Sequence, residues 1–384
     1  MEEKIRQRIA LGTYFFIIGF CFSTWASRIP TLKTYFNLNE AELGSLLLAM
    51  PVSSMLGLPI SGWLISRYNS RSPLLVSFFL FAIALSSIGF AGNIVSLILA
   101  ISLFSFCMRI INISINTQAV TLQKSFKRKI IGSFHGLWSS GGLAGVGIST
   151  FMISFNVPIY YHLLSVAIFV LLVALITYRF LLDNDRAKEG NKLVIGKPDK
   201  FIGALGLMVF FASICEGGMF DWSGVYFKEV VGEDVFTWGY LIFMVFMALS
   251  RFFSDAVIDY IGMRRLYIYS PCITASGILL MIFFPYFWPA LAGSCLVGIG
   301  VAAIIPMTFS LAGASKKYSP GMAISIIATY GITGMLLGPP LVGYLAQLID
   351  LRWSFLLFLL ASLMLIPISQ MFFKRNAELA VSDK

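Results

Sequence analysis

The sequence predicts an all-α integral membrane protein in which twelve transmembrane helices form two pseudo-symmetric six-helix bundles. Of its 384 residues, 58% are hydrophobic and only 12% are charged, and the mean hydropathy is +0.86. Soluble domains carry roughly a quarter charged residues, and half that level cannot cover a surface that faces water. Twelve long apolar runs follow one another, and the second six repeat features of the first.

Each apolar run can cross a bilayer core about 30 Å thick, which takes about 20 helical residues. The runs are continuous and lack the alternation of barrel strands, which favours helices. The predicted spans lie near 9–29, 43–65, 73–91, 95–119, 130–153, 159–182, 201–224, 236–259, 266–284, 288–312, 321–345 and 352–373.

The positive charges predict the orientation, because Lys and Arg concentrate in cytoplasmic loops. With the N-terminus inside, most of the 28 Lys and Arg residues fall in cytoplasmic segments. The exceptions are Arg28, Lys33, Lys228 and Arg352 outside, and Arg109 and Arg251 within spans. We therefore expect both termini to be cytoplasmic, in a bacterial inner membrane. The net charge of +10 is explained by these loops, so no nucleic-acid partner is expected.

A single offset of 193 residues aligns the two halves of the chain. It pairs Arg71 with Arg264, Gly141 with Gly334, Gly145 with Gly338, Ser23 with Glu216 and Arg28 with Asp221. A polar loop of mixed charge divides the halves, so we predict an N-terminal bundle (1–182), a cytoplasmic linker (183–200) and a C-terminal bundle (201–384). Two parallel halves of six spans are typical of transporters that work by alternating access.

The loops after spans 2 and 8 resemble the signature of the major facilitator superfamily, Gly-x-x-x-Asp-Arg-x-Gly-x-Arg. The two copies read GWLISRYNSR (62–71) and DAVIDYIGMRR (255–265). Ser66 replaces the acid in the first copy, and Asp255 replaces the glycine in the second. In the family this network of acids and arginines steadies the closed cytoplasmic side. The resemblance therefore implies a gating role for Arg71, Asp259 and Arg264.

Four further stretches resemble the branch of MosC-like and YbjJ-like inner-membrane proteins. They are STWASRIP (23–30), HGLWSSGGLAG (135–145), EGGMFDW (216–222) and GPPLVGY (338–344). The resemblance covers nearly the whole chain and implies the fold and the transport mode. The MosC-like relatives imply a link to rhizopine, an inositol-type amine, and the wider neighbourhood includes sugar–proton symporters such as fucose permease.

Glu216 is the leading candidate for proton coupling, because an ionisable group inside a span is costly and marks a functional site. It lies about two-thirds of the way across span 7, at 1.5 Å per helical residue. The following Gly217 and Gly218 can loosen the helix and open backbone groups to a cavity. A carboxyl group shielded from water could take up and release a proton there. A purely structural buried carboxyl group is the alternative.

Arg109, Asn112 and Asn116 share one face of span 4, where many family members carry a functional arginine. A cation with two amides suits a hydroxyl-rich or carboxylate-bearing solute. Helix packing through the amides is the alternative. One hypothesis is a charge pair between Arg109 and Glu216 that substrate or proton breaks.

Arg28 and Asp221 occupy equivalent outer ends of spans 1 and 7, so they are candidates for a gating salt bridge, unless they only reach the lipid headgroups. Arg251 precedes the second loop signature and is assigned to structure or gating.

His135, near the inner end of span 5, could relay protons or simply donate a hydrogen bond to a backbone carbonyl. Trp138 and Tyr330 lie deeper than the interfacial aromatic residues and are candidates for stacking on a solute.

Glycines of spans 5 and 11 form faces of small residues that let helices approach closely and slide. The key positions are Gly141, Gly145, Gly334 and Gly338. By the family resemblance these faces lie where the two halves meet and permit rocking.

The sequence has no phosphate-binding Gly-x-x-x-x-Gly-Lys-Ser/Thr loop, no metal-ligand spacing and no nucleophile–base set, so neither an ATP-driven pump nor an enzyme is expected. We predict a monomeric secondary transporter without a cofactor that moves a small polar solute, sugar-like or inositol-like, together with protons. A proton-driven exporter of drugs or metabolites is the alternative, because many Phe residues would suit an apolar cavity. A transporter-like receptor would be expected to carry a long cytoplasmic tail, which the residues after span 12 do not supply.

Overall fold

The chain folds into successive helices, because a segment inside a bilayer has to satisfy its backbone hydrogen bonds internally. The computed structural model describes residues 2–123, 125–126, 130–183, 199–313, 315, 317–318 and 320–382. Within these ranges the regular elements are helices and no strand occurs. Most of the predicted linker, residues 184–198, lies outside the described residues.

The described part of residues 1–182 contains eight helices. They are α1 (Glu2–Ala26), α2 (Ile29–Tyr35), α3 (Glu40–Leu47), α4 (Ala49–Arg67), α5 (Arg71–Gly89), α6 (Ile94–Gln123), α7 (Ile131–Ser154) and α8 (Ile159–Tyr178). The predicted span 2 thus divides into α3 and α4, and α3 begins at a capping box in which Asn39 and Glu42 each accept the other's backbone N–H.

The rest of the described chain contains eight more α-helices and one π-helix. They are α9 (Lys200–Tyr226), the π-helix (Phe227–Val231), α10 (Trp238–Ile261), α11 (Met263–Phe283), α12 (Phe287–Val301), α13 (Ile304–Gly313), α14 (Pro320–Ile349), α15 (Leu351–Ser354) and α16 (Leu356–Ser382). The side chain of Asp199 caps α9 by accepting the N–H of Ile202 at 2.8 Å.

The predicted membrane architecture is confirmed. Within the described residues, ten helical segments are long and apolar enough to cross a bilayer. The remaining two predicted spans, 130–153 and 236–259, are the helices α7 and α10, and α10 contributes the shorter apolar stretch Trp238–Arg251.

The helices form two units. The N-terminal unit contains α1, α2 and α4–α8, and the C-terminal unit contains α3 and α9–α16. The helix α3, which the predicted division places in the N-terminal bundle, packs against α14. A Cβ atom on Gly343 would lie 2.4 Å from the carbonyl oxygen of Glu40, and Ser45 and Tyr344 share a hydrogen bond of 3.0 Å. These close contacts explain why α3 groups with the second unit.

Glycines of α7 and α14 do hold helices together, but the contacts join helices of the same unit. A Cβ atom on Gly141 would lie 1.9 Å from the carbonyl oxygen of Phe16, and one on Gly145 would lie 2.4 Å from that of Phe20. In the C-terminal unit, a Cβ atom on Gly334 would lie 2.4 Å from the carbonyl oxygen of Phe210. These three glycines thus pack closely against a helix of their own unit, and their place where the halves meet stays a prediction.

Gly338 differs from its repeat mate Gly145. A Cβ atom on Gly338 would meet its nearest neighbours, the Cα and carbonyl oxygen of Ile214, at 3.9 Å, an ordinary van der Waals distance. Gly145 and Gly338 are therefore equivalent in the sequence repeat but differ in how closely they pack against a neighbouring helix.

Candidate functional site

A buried ion pair joins Glu216 on α9 to Arg251 on α10. Arg251 donates from Nη2 to Oε1 of Glu216 at 3.0 Å. The side chain of Glu216 is 8% exposed and that of Arg251 is 26% exposed. The second carboxylate oxygen, Oε2, is buried and has no hydrogen-bond partner within the described chain. A buried oxygen without a donor is costly, which marks it as a place for a proton or a ligand.

Arg251 also fastens the pair to a third helix. Its Nε donates to the carbonyl oxygen of Ala302, directly after α12, at 3.3 Å. The guanidinium thus connects α9, α10 and the end of α12. The sequence indicates a structural or gating role for Arg251. The structure shows that Arg251 is paired directly with Glu216, the candidate for proton coupling.

The glycines after Glu216 do not loosen the helix. The helix α9 continues without a break from Lys200 to Tyr226. A Cβ atom on Gly218 would lie 2.1 Å from Cε1 of Phe358, and one on Gly217 would lie 3.3 Å from Cγ of Met335. We expected these glycines to open a cavity. Instead, their lack of a side chain makes room for Phe358 on α16 and Met335 on α14.

Arg109 lies on α6 in the N-terminal unit and bonds to α4. Its Nε donates to Oγ of Ser54 at 2.7 Å. Its stem runs over Gly57, where a Cβ atom would lie 3.1 Å from Cβ of Arg109. Arg109 and Glu216 each have a partner within their own unit. The charge pair between Arg109 and Glu216 stays a hypothesis.

Asn112 and Asn116 continue the face of α6 that carries Arg109, and all three residues are half-buried. The amide of Asn116 donates from Nδ2 to the backbone carbonyl of Asn112 at 2.7 Å. Because this bond uses the backbone carbonyl of Asn112, the side-chain amide of Asn112 is left for other contacts. The sequence grouped these three residues correctly by helical spacing.

Arg28 is held inside the N-terminal unit by a residue that the sequence analysis missed. Its Nε donates to Nδ1 of His162 at 3.0 Å, and its Nη2 donates to the carbonyl oxygen of Val157 at 2.9 Å. Arg28 is 4% exposed and His162 is fully buried. His162 is one of only two histidines in the chain, and this scarcity was the available signal.

His162 accepts through Nδ1, so its ring proton is assigned to Nε2. That Nε2 is buried and has no hydrogen-bond partner in the described part of the chain. Asp221, the predicted salt-bridge partner of Arg28, is half-buried on α9. Their gating salt bridge stays a prediction.

We expect replacement of His162 with phenylalanine to lower the free energy of unfolding by about 2 kcal/mol, because a buried charged donor on Arg28 loses its acceptor. Thermal unfolding of the purified protein in detergent measures this change. His162→Gln, which keeps an acceptor, should lose less. Tyr161→Phe is the matched control, since Tyr161 is adjacent and 60% exposed. Equal unfolding midpoints for the phenylalanine variant and the wild type would contradict the expectation.

The remaining solute and proton candidates are spread over both units. His135 is exposed on α7, with its ring centroid 5.6 Å from that of Phe15. Trp138 is half-buried, 6.1 Å from the ring of Phe22. Tyr330 on α14 lies against Gly206 of α9, where a Cβ atom would come within 2.7 Å of its ring. The roles of these three residues in binding stay predictions.

The two loop arginines bind to the end of the last span of their own unit. Arg71 forms an ion pair with Asp183 and lies 4.4 Å from the ring centroid of Tyr178. Arg264 donates from Nε to Oε1 of Gln370 at 2.9 Å. Asp259 is exposed. The gating roles implied for Arg71, Asp259 and Arg264 stay predictions, and the side chains of Ser66 and Asp255 lie outside the described part.

Comparison with known proteins agrees with this architecture. The sequence matches the family model of the Major Facilitator Superfamily over residues 11–269 and 231–383. It is 31% identical to the membrane protein MosC of Rhizobium meliloti over 370 residues, which cover 96% of this chain and 90% of MosC. It is 28% identical to an uncharacterized MFS-type transporter of Yersinia pestis over 358 residues, covering 92% of this chain and 93% of that protein.

Among solved structures, a mutant of the nucleoside transporter NupG matches with a TM-score of 0.77. The match covers 97% of this chain and 100% of that chain at 13% sequence identity, so it shows the shared fold alone. The resemblance to the MosC-like branch is confirmed by the curated relatives. The chain therefore belongs to the major facilitator superfamily and is a multi-pass membrane transporter rather than an enzyme.

Proposed function

We propose that the protein moves a small polar solute, sugar-like or inositol-like, across the bacterial cytoplasmic membrane by alternating access, and that protons drive the movement through Glu216. The single observation that supports this proposal best is the carboxyl group of Glu216, which is buried, paired with Arg251 through one oxygen and unpartnered at the other. An ionisable group in this setting is retained for function more often than for stability.

The pair supplies a coupling chemistry. When Glu216 is charged, its Oε1 holds the guanidinium of Arg251 at 3.0 Å. A proton on the free Oε2 removes the negative charge and weakens this attraction. Arg251 then remains bound to the carbonyl oxygen of Ala302. Protonation at Glu216 would thereby change how α9, α10 and α12 are connected, which links proton binding to a change of conformation.

The expected polarity of the solute follows from the side chains on α6. Arg109, Asn112 and Asn116 offer donors and acceptors on one half-buried face. Hydroxyl groups of a sugar or cyclitol would satisfy such groups. The relatives include the membrane protein MosC. The matched solved structure is a nucleoside transporter, so the solutes to be screened include nucleosides.

Proteoliposomes that contain a pH-sensitive dye test the proposal. Sugars, inositols, nucleosides and cationic drugs are added outside, to vesicles with wild-type protein or with Glu216→Gln. We expect one polar solute to acidify the lumen with the wild type, and we expect at least a tenfold slower acidification with Glu216→Gln, because the amide cannot carry the proton. Glu229→Gln is the matched control, since Glu229 is an exposed carboxylate in the same apolar segment.

Two results would count against the proposal. Alkalinisation of the lumen by a drug under an imposed proton gradient would indicate an exporter instead. Equal acidification by the wild type and by Glu216→Gln would show that Glu216 is structural and that protons travel by another route.

A further inference from the structure

The guanidinium of Arg109 lies near the middle of a membrane-spanning helix. It is 15 residues after the first residue of α6 and 14 before the last, so it lies about 21 Å or more along the helix from either end. At this depth an isolated charge is costly, and such residues are kept where they pair with another group. At its position in the helix, Arg109 therefore calls for a group that pairs with its positive charge.

The described part of the N-terminal unit supplies no acid to Arg109. Its recorded polar contact is the hydroxyl of Ser54, which accepts from Nε at 2.7 Å. The two terminal nitrogens, Nη1 and Nη2, have no recorded partner there. Contact with Gly57 directs the stem along α4, so the residue is positioned while the two nitrogens that suit a carboxylate stay available.

In the C-terminal unit, Arg251 reaches the position that corresponds to Arg109, and this arginine is neutralised by an acid. The 193-residue offset carries Arg109 onto Ala302, and the carbonyl oxygen of Ala302 accepts from Arg251. In both units an arginine thus connects the second span to the fourth. Arg251 is neutralised by Glu216, whereas the offset carries Glu216 back onto Ser23 in the N-terminal unit. A serine cannot neutralise a guanidinium, so the N-terminal unit does not repeat for Arg109 the counter-charge that Glu216 gives to Arg251.

We propose that the transported solute brings this counter-charge: it is a small hydroxycarboxylate whose carboxylate binds the terminal nitrogens of Arg109 and whose hydroxyl groups bind Asn112 and Asn116. This inference rests on the proposed transport function and narrows its solute from sugar-like to sugar-acid-like. The side-chain amide of Asn112 and Oδ1 of Asn116 have no recorded hydrogen bond within the described chain, so both can serve hydroxyl groups.

A carboxylate fits the charge better than a phosphate does. One carboxylate carries a single negative charge and forms two parallel hydrogen bonds with one guanidinium. A phosphate monoester carries nearly two negative charges at neutral pH, so one arginine would leave a buried surplus charge. Among the described residues of this face, Arg109 is the one cation.

Direct binding measurements test the inference separately from transport. Isothermal titration of the purified protein in detergent compares D-gluconate with D-glucitol, and D-glucuronate with D-glucose, so that each acid has a neutral counterpart. D-glucitol 6-phosphate tests the phosphate. We expect the acids to bind the wild type at least tenfold more tightly than the neutral compounds, and Arg109→Gln to weaken acid binding at least tenfold.

Two further variants control for fold and for charge. Arg109→Lys keeps the positive charge but loses the fork of two nitrogens, so it should bind acids with intermediate affinity and covers the case in which Arg109→Gln does not fold. Arg179→Gln removes a positive charge from an exposed position of the same unit and should leave acid binding unchanged.

Several outcomes would overturn the inference. These are equal binding of acids and neutral compounds, undiminished acid binding by both Arg109 variants, binding of the phosphate alone, and binding of none of the five compounds. The proposed function fails separately. Acid binding without any Glu216-dependent proton movement in vesicles would refute the coupling and leave the solute class standing. Glu216-dependent transport of a neutral sugar without acid binding would do the reverse.

Discussion

Replacement of Arg251 with methionine is expected to lower the free energy of unfolding by about 3 kcal/mol and to abolish proton-coupled transport. The variant leaves the buried carboxyl group of Glu216 without its partner, and breaking a buried ion pair by removing one member costs about 3–5 kcal/mol. The lower end applies because the side chain of Arg251 is 26% exposed. The midpoint of thermal unfolding in detergent and the dye-loaded proteoliposomes measure the two effects.

A double variant separates the stability of the pair from its function. Glu216→Gln combined with Arg251→Met removes both charges, so it should recover most of the lost stability while remaining inactive in coupled transport. Arg265→Met, at an exposed arginine of the same unit, should change neither property. If the single Arg251→Met variant unfolds at the wild-type temperature, the ion pair contributes nothing to stability and its buried geometry has been misjudged.

Replacement of Gly141 with alanine is expected to destabilise the N-terminal unit by about 3 kcal/mol. The added methyl group would lie 1.9 Å from the backbone carbonyl oxygen of Phe16, and a backbone atom cannot move aside as a side chain does. The helices α1 and α7 would have to separate, and forced overpacking of this kind costs about 1–3 kcal/mol. The yield of folded protein from membranes and the unfolding midpoint report the change.

Gly338→Ala is the matched control for this prediction. Its methyl group would meet neighbours at 3.9 Å, so no helix has to move. Alanine also has a higher helix propensity than glycine, by about 1 kcal/mol, so the variant should be neutral or slightly stabilised. The close-packing explanation would be refuted by Gly141→Ala and Gly338→Ala variants of equal stability.

The position of Glu216 as a candidate could be predicted from the sequence, but its partner could not. A charge in the middle of an apolar run is visible in one dimension, and so are the shared face of Arg109, Asn112 and Asn116 and the repeat of Arg71 and Arg264. Each of these signals depends on local spacing along the chain. The spacing gives no sign that Arg251 is the partner of Glu216, which only the structure shows.

The role of His162 was missed for the same reason. Its contact with Arg28 joins residues that are 134 positions apart, and the sequence alone does not tell which distant helices are neighbours. The glycines of α7 and α14 show a second limit of prediction from the sequence. Their small size predicts close packing, which the structure shows at Gly141, Gly145 and Gly334 but not at Gly338.

The sequence by itself determined the membrane-spanning helices, the two-fold repeat and the family. These properties follow from hydropathy, from the demand that backbone hydrogen bonds in lipid be satisfied within a helix, and from short motifs. Only the tertiary structure decided which partners Glu216 and Arg28 have and which glycines leave space for a methyl group. Those depend on distances of a few ångströms between helices that are far apart in the chain, because electrostatic and packing energies change steeply over such distances.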